Sequence, residues 1–186
     1  MDVRRVVTGH DASGRSVFVS DQTVAPDEPL LLPGAEFHQL WGGDETPSFP
    51  GDGTKPAYRT YFAPVGGFRF GLFSIPPGTT AGGQEVDAGA AIEDVEAKLP
   101  GLLQYMDPTD PGMHTTDTID FEVVLEGTVV LELGDGAEVT LLPGDTVVQN
   151  GTRHRWRNPG DGTARVAVFM CGAEHSGIPQ PRPHLA

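Results

Sequence analysis

The chain has 186 residues, and its 26 acidic and 12 basic side chains give a formal net charge of −14. A field of that sign repels nucleic acid and anionic membrane surfaces, so neither is expected as a partner. No apolar run approaches the ~20 residues of a membrane span, and the N-terminus has no hydrophobic signal region. The single cysteine, Cys171, excludes an intrachain disulfide. We therefore expect a cytoplasmic protein in which Cys171 is a buried structural thiol.

Glycine and proline interrupt the sequence throughout, with 25 and 17 copies. Long helical patterns are scarce, and this composition favours many short strands joined by turns, as in a sandwich or barrel. The length fits one domain. We expect it to comprise N-terminal strands and loops over about residues 1–66, a barrel core over about 67–172 and a poorly ordered tail over 173–186.

The first 77 residues predict four strands, of which the first two form a hairpin. Residues 3–24 form two β-rich runs around a turn at Asp11 to Arg15, and the free edges of such a hairpin need a partner. A homodimer through these strands is one way to supply it. Glu36 to Trp41 predicts a strand, Gly43 to Lys55 a surface loop, and Gly67 to Pro77 a strand that ends at a double proline.

One helical candidate follows, over Ala88 to Met106. Its apolar residues recur at roughly helical spacing, and acidic residues occupy its early turns. Pro100 interrupts the pattern, so the sequence predicts either two short helices or one helix followed by a loop. Its position before the next strands predicts an insertion that lies over the barrel or its mouth.

The remaining chain has the spacing of a β-barrel or jelly roll, with glycine or proline at nearly every junction. Six short strands are predicted, at Asp120–Leu125, Thr128–Leu133, Ala137–Leu142, Asp145–Val148, His154–Asn158 and Ala164–Cys171.

Alternation along these strands assigns side chains to faces. Asp120 and Glu122 share one face of their strand, so both are expected in the interior, with Phe121 in the core rather than the pocket. A desolvated Glu122 would have a raised pKa and could act as a general base or as a metal ligand. By the same count His154 and Trp156 line the pocket, while the arginines at 153, 155 and 157 face outward.

Two motifs in this part of the chain resemble those of the cupin superfamily. The first family motif, G-x5-H-x-H-x3,4-E-x6-G, is matched by His114, Thr116, Asp120 and Gly127 in that order. The second, G-x5-P-x-G-x2-H-x3-N, is matched by glycines at 144 and 151, His154 and Asn158, with Gln149 near the usual proline. The chain departs from the pattern where Thr116 replaces the second histidine and Asp120 replaces the glutamate.

The resemblance implies an all-β fold, a double-stranded β-helix (jelly-roll) cupin barrel, here with an N-terminal strand extension and a short helical insertion. It is similar to small single-domain cupins of the bacterial type. In the family a metal lies in the barrel mouth, which implies His114, Asp120 and His154 as ligands. Thr116, Glu122, Gln149 and Trp156 would line the pocket, with Glu122 and His154 as catalytic residues.

Two imidazoles and a carboxylate suit Fe(II), and also Zn, Mn or Ni, so a divalent metal is the expected cofactor and no nucleotide cofactor is expected. The first functional hypothesis is a metal-dependent enzyme acting on a small organic substrate by dioxygenation, isomerisation or dehydration. The alternative is a metal-free cupin that binds or senses a small molecule without catalysis. Fold alone does not choose between them.

Overall fold

The computed structural model describes residues 2–78 and 87–176. Strands dominate this part of the chain, which confirms the all-β prediction. In chain order the strands are β1 (Val3–His10), β2 (Ser16–Val24), β3 (Phe37–Gly43), β4 (Phe68–Ile75), β5 (Thr118–Glu126), β6 (Val129–Leu133), β7 (Glu138–Leu141), β8 (Thr146–Asn150), β9 (His154–Arg157) and β10 (Ala164–Gly172). Between β4 and β5 lie helix α1 (Ala88–Lys98) and a 3-10 helix (Leu102–Tyr105).

Two antiparallel sheets form the barrel. The larger has the order β3-β4-β10-β5-β8 and the smaller the order β7-β6-β9. They pack face to face, because one apolar cluster joins Val124 and Val166 of the larger sheet to Val129 and Leu131 of the smaller. This arrangement confirms the predicted jelly roll, and each of the six strands predicted after residue 117 is present with its ends moved by at most two residues.

The N-terminal hairpin is a separate sheet of two strands, β1 and β2, as the turn at residues 11–15 predicts. It is anchored beside β3 of the larger sheet. The Nη1 atom of Arg5 donates a hydrogen bond to the carbonyl oxygen of Leu40 at 2.7 Å, and the guanidinium lies 5.7 Å from the centre of the Trp41 ring. The hairpin therefore extends the molecule at one edge of the barrel.

The helical insertion covers part of the barrel interior, as predicted. Helix α1 begins after Asp87, whose carboxylate accepts a hydrogen bond from the backbone N–H of Ala90 at 2.8 Å, a favourable N-cap. The helix ends before Pro100, and the 3-10 helix follows. A second apolar cluster joins the insertion to β10, and its buried members are Phe62, Val95, Leu99, Leu102, Val168 and Met170.

Two expectations about the larger sheet are wrong. Phe121, predicted in the core, lies on the outer face of β5 and is 46% exposed, and the thiol-bearing Cys171 of β10 is only partly buried. Cys171 lies on the same face of β10 as Phe169, which is 39% exposed. Alternation says which residues share a face, but on β5 the inner face carries the carboxylates and the outer face carries the apolar side chains.

Among the described residues no helix is long and apolar enough to cross a membrane. Of the predicted tail, residues 173–176 follow β10, and residues 177–186 lie outside the part of the chain that the structure describes.

Candidate functional site

A layer of polar side chains lies in the barrel between the two apolar clusters. It begins on the inner face of β5, where Thr118, Asp120 and Glu122 precede the core residue Val124. Asp120 is 4% exposed and Glu122 is 5% exposed. Both carboxylates therefore point inward, as the alternation along the strand predicts. This orientation places two ionisable groups where water is scarce.

Gln149 continues this layer on β8, directly opposite Asp120 in the antiparallel ladder. Its side chain is buried, and its Oε1 atom accepts a hydrogen bond from the hydroxyl of Thr152 at 2.8 Å. The Nε2 atom of Gln149 has no hydrogen-bond partner among the described residues. A buried amide N–H group without a partner is costly, so this donor is available to a bound molecule.

Two imidazoles enter the layer from the smaller sheet. His114 lies on a short bridge beside β9, and its backbone exchanges two hydrogen bonds of 2.9 Å with His154. This pairing holds the ring centroids 4.1 Å apart. His154 is 1% exposed, whereas the residue His114 is partly exposed.

Both rings are held by a backbone carbonyl. The Nδ1 atom of His114 lies 3.0 Å from the carbonyl oxygen of Gly112, and that of His154 lies 2.8 Å from the carbonyl oxygen of Thr152. Since a carbonyl oxygen only accepts, each Nδ1 must carry the proton when it makes this bond, which leaves each Nε2 atom of a neutral ring with a free lone pair.

Burial keeps both imidazoles neutral. It lowers the pKa of His154 to about 3, with a further decrease from the nearby His114, and it lowers the pKa of His114 as well. The hydrogen bonds to the carbonyl oxygens act in the opposite direction but are weaker. At neutral pH the two rings therefore offer acceptor nitrogens rather than positive charge.

Burial has the opposite effect on the carboxyl groups. It raises the pKa of Asp120 to about 6, partly offset by a hydrogen bond with Thr118. It raises the pKa of Glu122 to about 8, and the neighbouring charge of Asp120 adds to that rise. Burial therefore favours the protonated form of both carboxyl groups, and that of Glu122 most strongly. The Oδ1 atom of Asp120 and the Oε2 atom of Glu122 have no hydrogen-bond partner among the described residues.

Tyr61 is part of the same environment, although no motif or periodicity in the sequence indicates it. Burial and the charges of Asp120 and Glu122 raise the pKa of its phenol, so it stays protonated. Its ring packs edge-on against Phe62, with centroids 5.0 Å apart. Tyr61 lies in an irregular segment without periodicity, so no signal in the sequence could have placed it here.

Thr116, predicted in the pocket at the position of a missing histidine, is completely buried. Its hydroxyl oxygen lies 2.9 Å from that of Thr118, and the two hydroxyls share a hydrogen bond. Trp156 lies beside His154, with ring centroids 5.8 Å apart and planes nearly perpendicular. Asn158 has a structural role, since its amide donates to the carbonyl oxygens of Ile75 and Gly162, each at 2.8 Å.

The three arginines of the 153–157 segment face outward, as predicted. They form ion pairs with carboxylates on the outside of the smaller sheet, including those of Glu132 and Asp110. These charges lie on the opposite side of β9 from His154 and take no part in the interior layer.

The donor types in this layer suit a divalent metal, but the donors are not gathered around one point. Two neutral imidazoles with free Nε2 atoms and an unpartnered carboxylate oxygen of Asp120 are the ligand types that such an ion takes. Across residues 2–78 and 87–176, however, no three His, Cys, Asp or Glu side chains form a group that could hold a metal ion. The donor types therefore fit a divalent metal, but the described residues do not hold three of these donors in position around one ion.

Comparison with known proteins agrees with this architecture. The family described as "Cupin_2: Cupin domain" matches residues 102–170, which contain both imidazoles and both buried carboxylates. The chain belongs to the cupin superfamily.

Among its relatives is phomopsin biosynthesis cluster protein C' of Diaporthe leptostromiformis, 33% identical over 157 residues that cover 83% of this chain and 69% of that protein. Another is the cupin-domain-containing oxidoreductase fogC of Aspergillus ruber, 27% identical over 164 residues that cover 87% of this chain and 67% of that protein. The cupin domain of Cnp3 from Schizosaccharomyces pombe is similar in structure, with 11% identity, a TM-score of 0.48, and coverage of 91% of this chain and 87% of that one.

Proposed function

We propose that this chain is a cupin-type enzyme that moves a proton on a small organic molecule bound inside the barrel, with Glu122 as the proton-transferring group. One observation carries the proposal. The carboxyl of Glu122 is 5% exposed, and its Oε2 atom has no partner among the described residues. A buried carboxyl left unpaired is costly for folding, and such groups concentrate at sites where chemistry needs them.

The proposed step follows from the protonation states. Near pH 7 Glu122 is protonated because its pKa is raised to about 8, so it donates its proton to an oxygen of the bound molecule. The ionised Asp120 takes a proton from the carbon next to that oxygen, so the molecule loses one proton for the one it gains. The protonated phenol of Tyr61 can donate a hydrogen bond. The Nε2 atoms of the two imidazoles accept from hydroxyl groups. This set suits a molecule that carries hydroxyl and carbonyl groups.

Proton transfer is a step of both isomerisation and dehydration, and these are the reaction classes that we favour. The names of the relatives support a role in small-molecule metabolism, since one is described as a biosynthesis cluster protein and another as an oxidoreductase.

Exchange with solvent deuterium tests the proposal without knowledge of the natural substrate. The chain is incubated in D₂O with a panel of small hydroxy ketones and β-dicarbonyl compounds, and deuterium incorporation at carbon is followed by NMR. We expect enzyme-dependent exchange on at least one compound, with a loss of about 100-fold or more in Glu122→Gln, the range found for a general acid–base. The matched control is Glu126→Gln, an exposed glutamate of the same strand. Binding of a compound with no exchange, or equal exchange by Glu122→Gln, would favour the metal-free binding module instead.

A bound divalent metal is the second candidate, and the carbonyl-tethered Nδ1 atoms of both imidazoles favour it. Metal-bound histidines commonly donate the other ring N–H in this way. His114, His154 and Asp120 are the proposed ligands. An ion held there would act as a Lewis acid on an oxygen of the substrate. Binding would require the three side chains to move together, because the described residues do not form a three-ligand group.

Titration of chelator-treated protein with Zn²⁺, Mn²⁺, Ni²⁺ or, without oxygen, Fe²⁺ tests this candidate by calorimetry. We expect one ion per chain and at least tenfold weaker binding in His154→Ala. His10→Ala, on the hairpin, is the control and should bind as the unaltered chain does. Equal binding by His154→Ala would exclude this residue as a ligand.

A further inference from the structure

Gln149 and Asp120 lie directly opposite one another on the inner face of the larger sheet. Both residues are 4% exposed, and side chains paired in this way have Cβ atoms about 5 Å apart. Their polar ends nevertheless do not bind each other, because the Nε2 atom of Gln149 and the Oδ1 atom of Asp120 both lack a hydrogen-bond partner in the described part of the chain. An N–H donor and an oxygen acceptor are therefore left open side by side in the interior.

The amide of Gln149 is held in one orientation by Thr152. Its Oε1 atom accepts the hydrogen bond from the Thr152 hydroxyl at 2.8 Å, which leaves both N–H groups of the Nε2 atom unused. The backbone carbonyl oxygen of Thr152 also lies 2.8 Å from the Nδ1 atom of His154. One residue of the turn between β8 and β9 therefore orients a donor on the first strand and an acceptor on the second.

Arg69 is the only buried arginine or lysine among the residues that the structure describes. It lies on β4 in the same inner row as Asp120, with Met170 of β10 between them. The five N–H groups of its guanidinium donate to nearby backbone carbonyl oxygens and to the carboxylate of Asp44. The ring of Tyr58 covers the guanidinium, with its centre 4.1 Å away. This cation is fully used within the chain and has no N–H group left for a bound anion.

We propose that Gln149 determines substrate specificity and that the site takes uncharged carbonyl compounds rather than carboxylates. This inference rests on the proposed proton transfer, in which a carbonyl oxygen receives the proton of Glu122. The amide of Gln149 donates to the same oxygen and stabilises the negative charge that develops on it as the neighbouring carbon loses its proton. A molecule without an acceptor at this point leaves the buried amide unpaired, which is costly.

A carboxylate binds poorly because no buried cation is free to pair with it. Removal of an ion from water is costly unless an opposite charge or a full set of hydrogen bonds replaces its hydration. Asp120 and Glu122 carry negative charge or none. Each imidazole presents its Nε2 atom as an acceptor, since the Nδ1 atom carries the proton. The interior therefore offers a carboxylate repulsion or competing acceptors, and the amide of Gln149 alone does not replace its hydration.

Binding of matched pairs of compounds tests the proposal. Acetoacetamide, 3-oxohexanamide and benzoylacetamide are each compared with the carboxylate of the same carbon skeleton, by ligand-observed NMR titration of the chelator-treated full chain at pH 7. We expect at least one amide to bind, and its carboxylate to bind about 100-fold more weakly or not at all. Equal affinities within the pairs, or no binding by any of the amides, would overturn the proposal.

Replacement of Gln149 tests its part in this preference. Gln149→Met removes the amide and keeps the length of the side chain, and it should weaken binding of the amide compound about tenfold or more. Gln22→Met, at an exposed glutamine of β2, is the matched control and should bind as the unaltered chain does. A folded Gln149→Met with the affinity of Gln22→Met would refute the role of Gln149. The comparison within pairs uses the unaltered chain, so it decides on substrate charge even where a variant fails to fold.

The same pairs measured with Glu122→Gln separate this inference from the proposed reaction. That variant cannot donate the proton but keeps Gln149 and Arg69, so it should retain the preference for the uncharged compound. A retained preference with no deuterium exchange on any compound would refute the reaction and support the specificity. Loss of the preference in Glu122→Gln would assign it to the charge of Glu122 and overturn the proposal. Carboxylates that bind as tightly as the amides once Zn²⁺ is added would also overturn it, because the ion would then supply the positive charge.

Discussion

Replacement of Glu122 by glutamine should make the fold more stable at alkaline pH. The pKa of Glu122 is raised from 4.5 to about 8 in the folded chain, so the folded state holds a proton that the unfolded state has lost. Between these two values stability must fall as the pH rises, because the folded state binds more protons. At 1.36 kcal/mol per pKa unit, the loss approaches about 5 kcal/mol above pH 8.

Glu122→Gln removes this loss, since the amide keeps the shape of the protonated carboxyl and never ionises. Whole domains are stable by only about 5–15 kcal/mol, so the difference is large enough to measure. At lower pH His154 makes the free energy of unfolding change in the opposite direction, so that stability rises as the pH rises. Its pKa is lowered to about 3 in the folded state, so its contribution to stability is lost as the pH falls below 6.5. That contribution is common to both proteins and cancels in the comparison.

Urea unfolding of chelator-treated protein at pH 5, 7 and 9 checks the prediction. We expect similar midpoints for the two proteins at pH 5 and a variant that is progressively more stable at pH 7 and 9. Glu93→Gln, an exposed glutamate of α1, should follow the unaltered chain at every pH. Parallel stability curves for the unaltered chain and Glu122→Gln would refute the argument that Glu122 is buried and protonated.

Two further predictions concern packing and turns, both measured by urea unfolding. Leu99→Ala removes the side chain that follows the last residue of α1 and is 0% exposed, and it should cost about 2–5 kcal/mol. Ile92→Ala removes a side chain of α1 that is 48% exposed and should cost far less. Equal losses in the two variants would show that Leu99 is not packed in the core. Gly127→Ala should be more destabilising than Gly14→Ala. Both glycines have a positive φ, near +80°, and this backbone conformation costs another residue about 1–2 kcal/mol. Only at Gly127 would the new Cβ also lie 2.7 Å from the Cα of Ala164. Equal decreases in the free energy of unfolding for the two variants would exclude that clash.

Periodicity predicted the inward-facing residues of the site wherever they lie on a regular strand. Asp120 and Glu122 on β5 and His154 and Trp156 on β9 were placed correctly because a strand alternates strictly between two faces. Tyr61 could not be predicted, because it comes from an irregular segment and enters the interior only through the folding of the chain around the barrel. Phe121 was misplaced since alternation cannot say whether the second face of a sheet is covered.

The protonation states of the site also required the structure. A raised pKa at Glu122 depends on how completely the neighbouring strands and the insertion exclude water, and none of that is encoded in the spacing of the motif. The tethering of both imidazoles likewise depends on backbone carbonyls at Gly112 and Thr152, whose directions are set by the turns on which they lie.

The burial of the polar layer limits how fast a ligand can enter. Glu122, Asp120 and His154 are each at most 5% exposed, so within the described part of the chain these side chains offer a diffusing molecule almost no open surface. We expect that some of the surrounding structure has to open before a ligand binds. Association should then be slower than the about 10⁵–10⁷ M⁻¹s⁻¹ of an accessible site, and it should reach a maximum rate at high ligand concentration that equals the rate of opening.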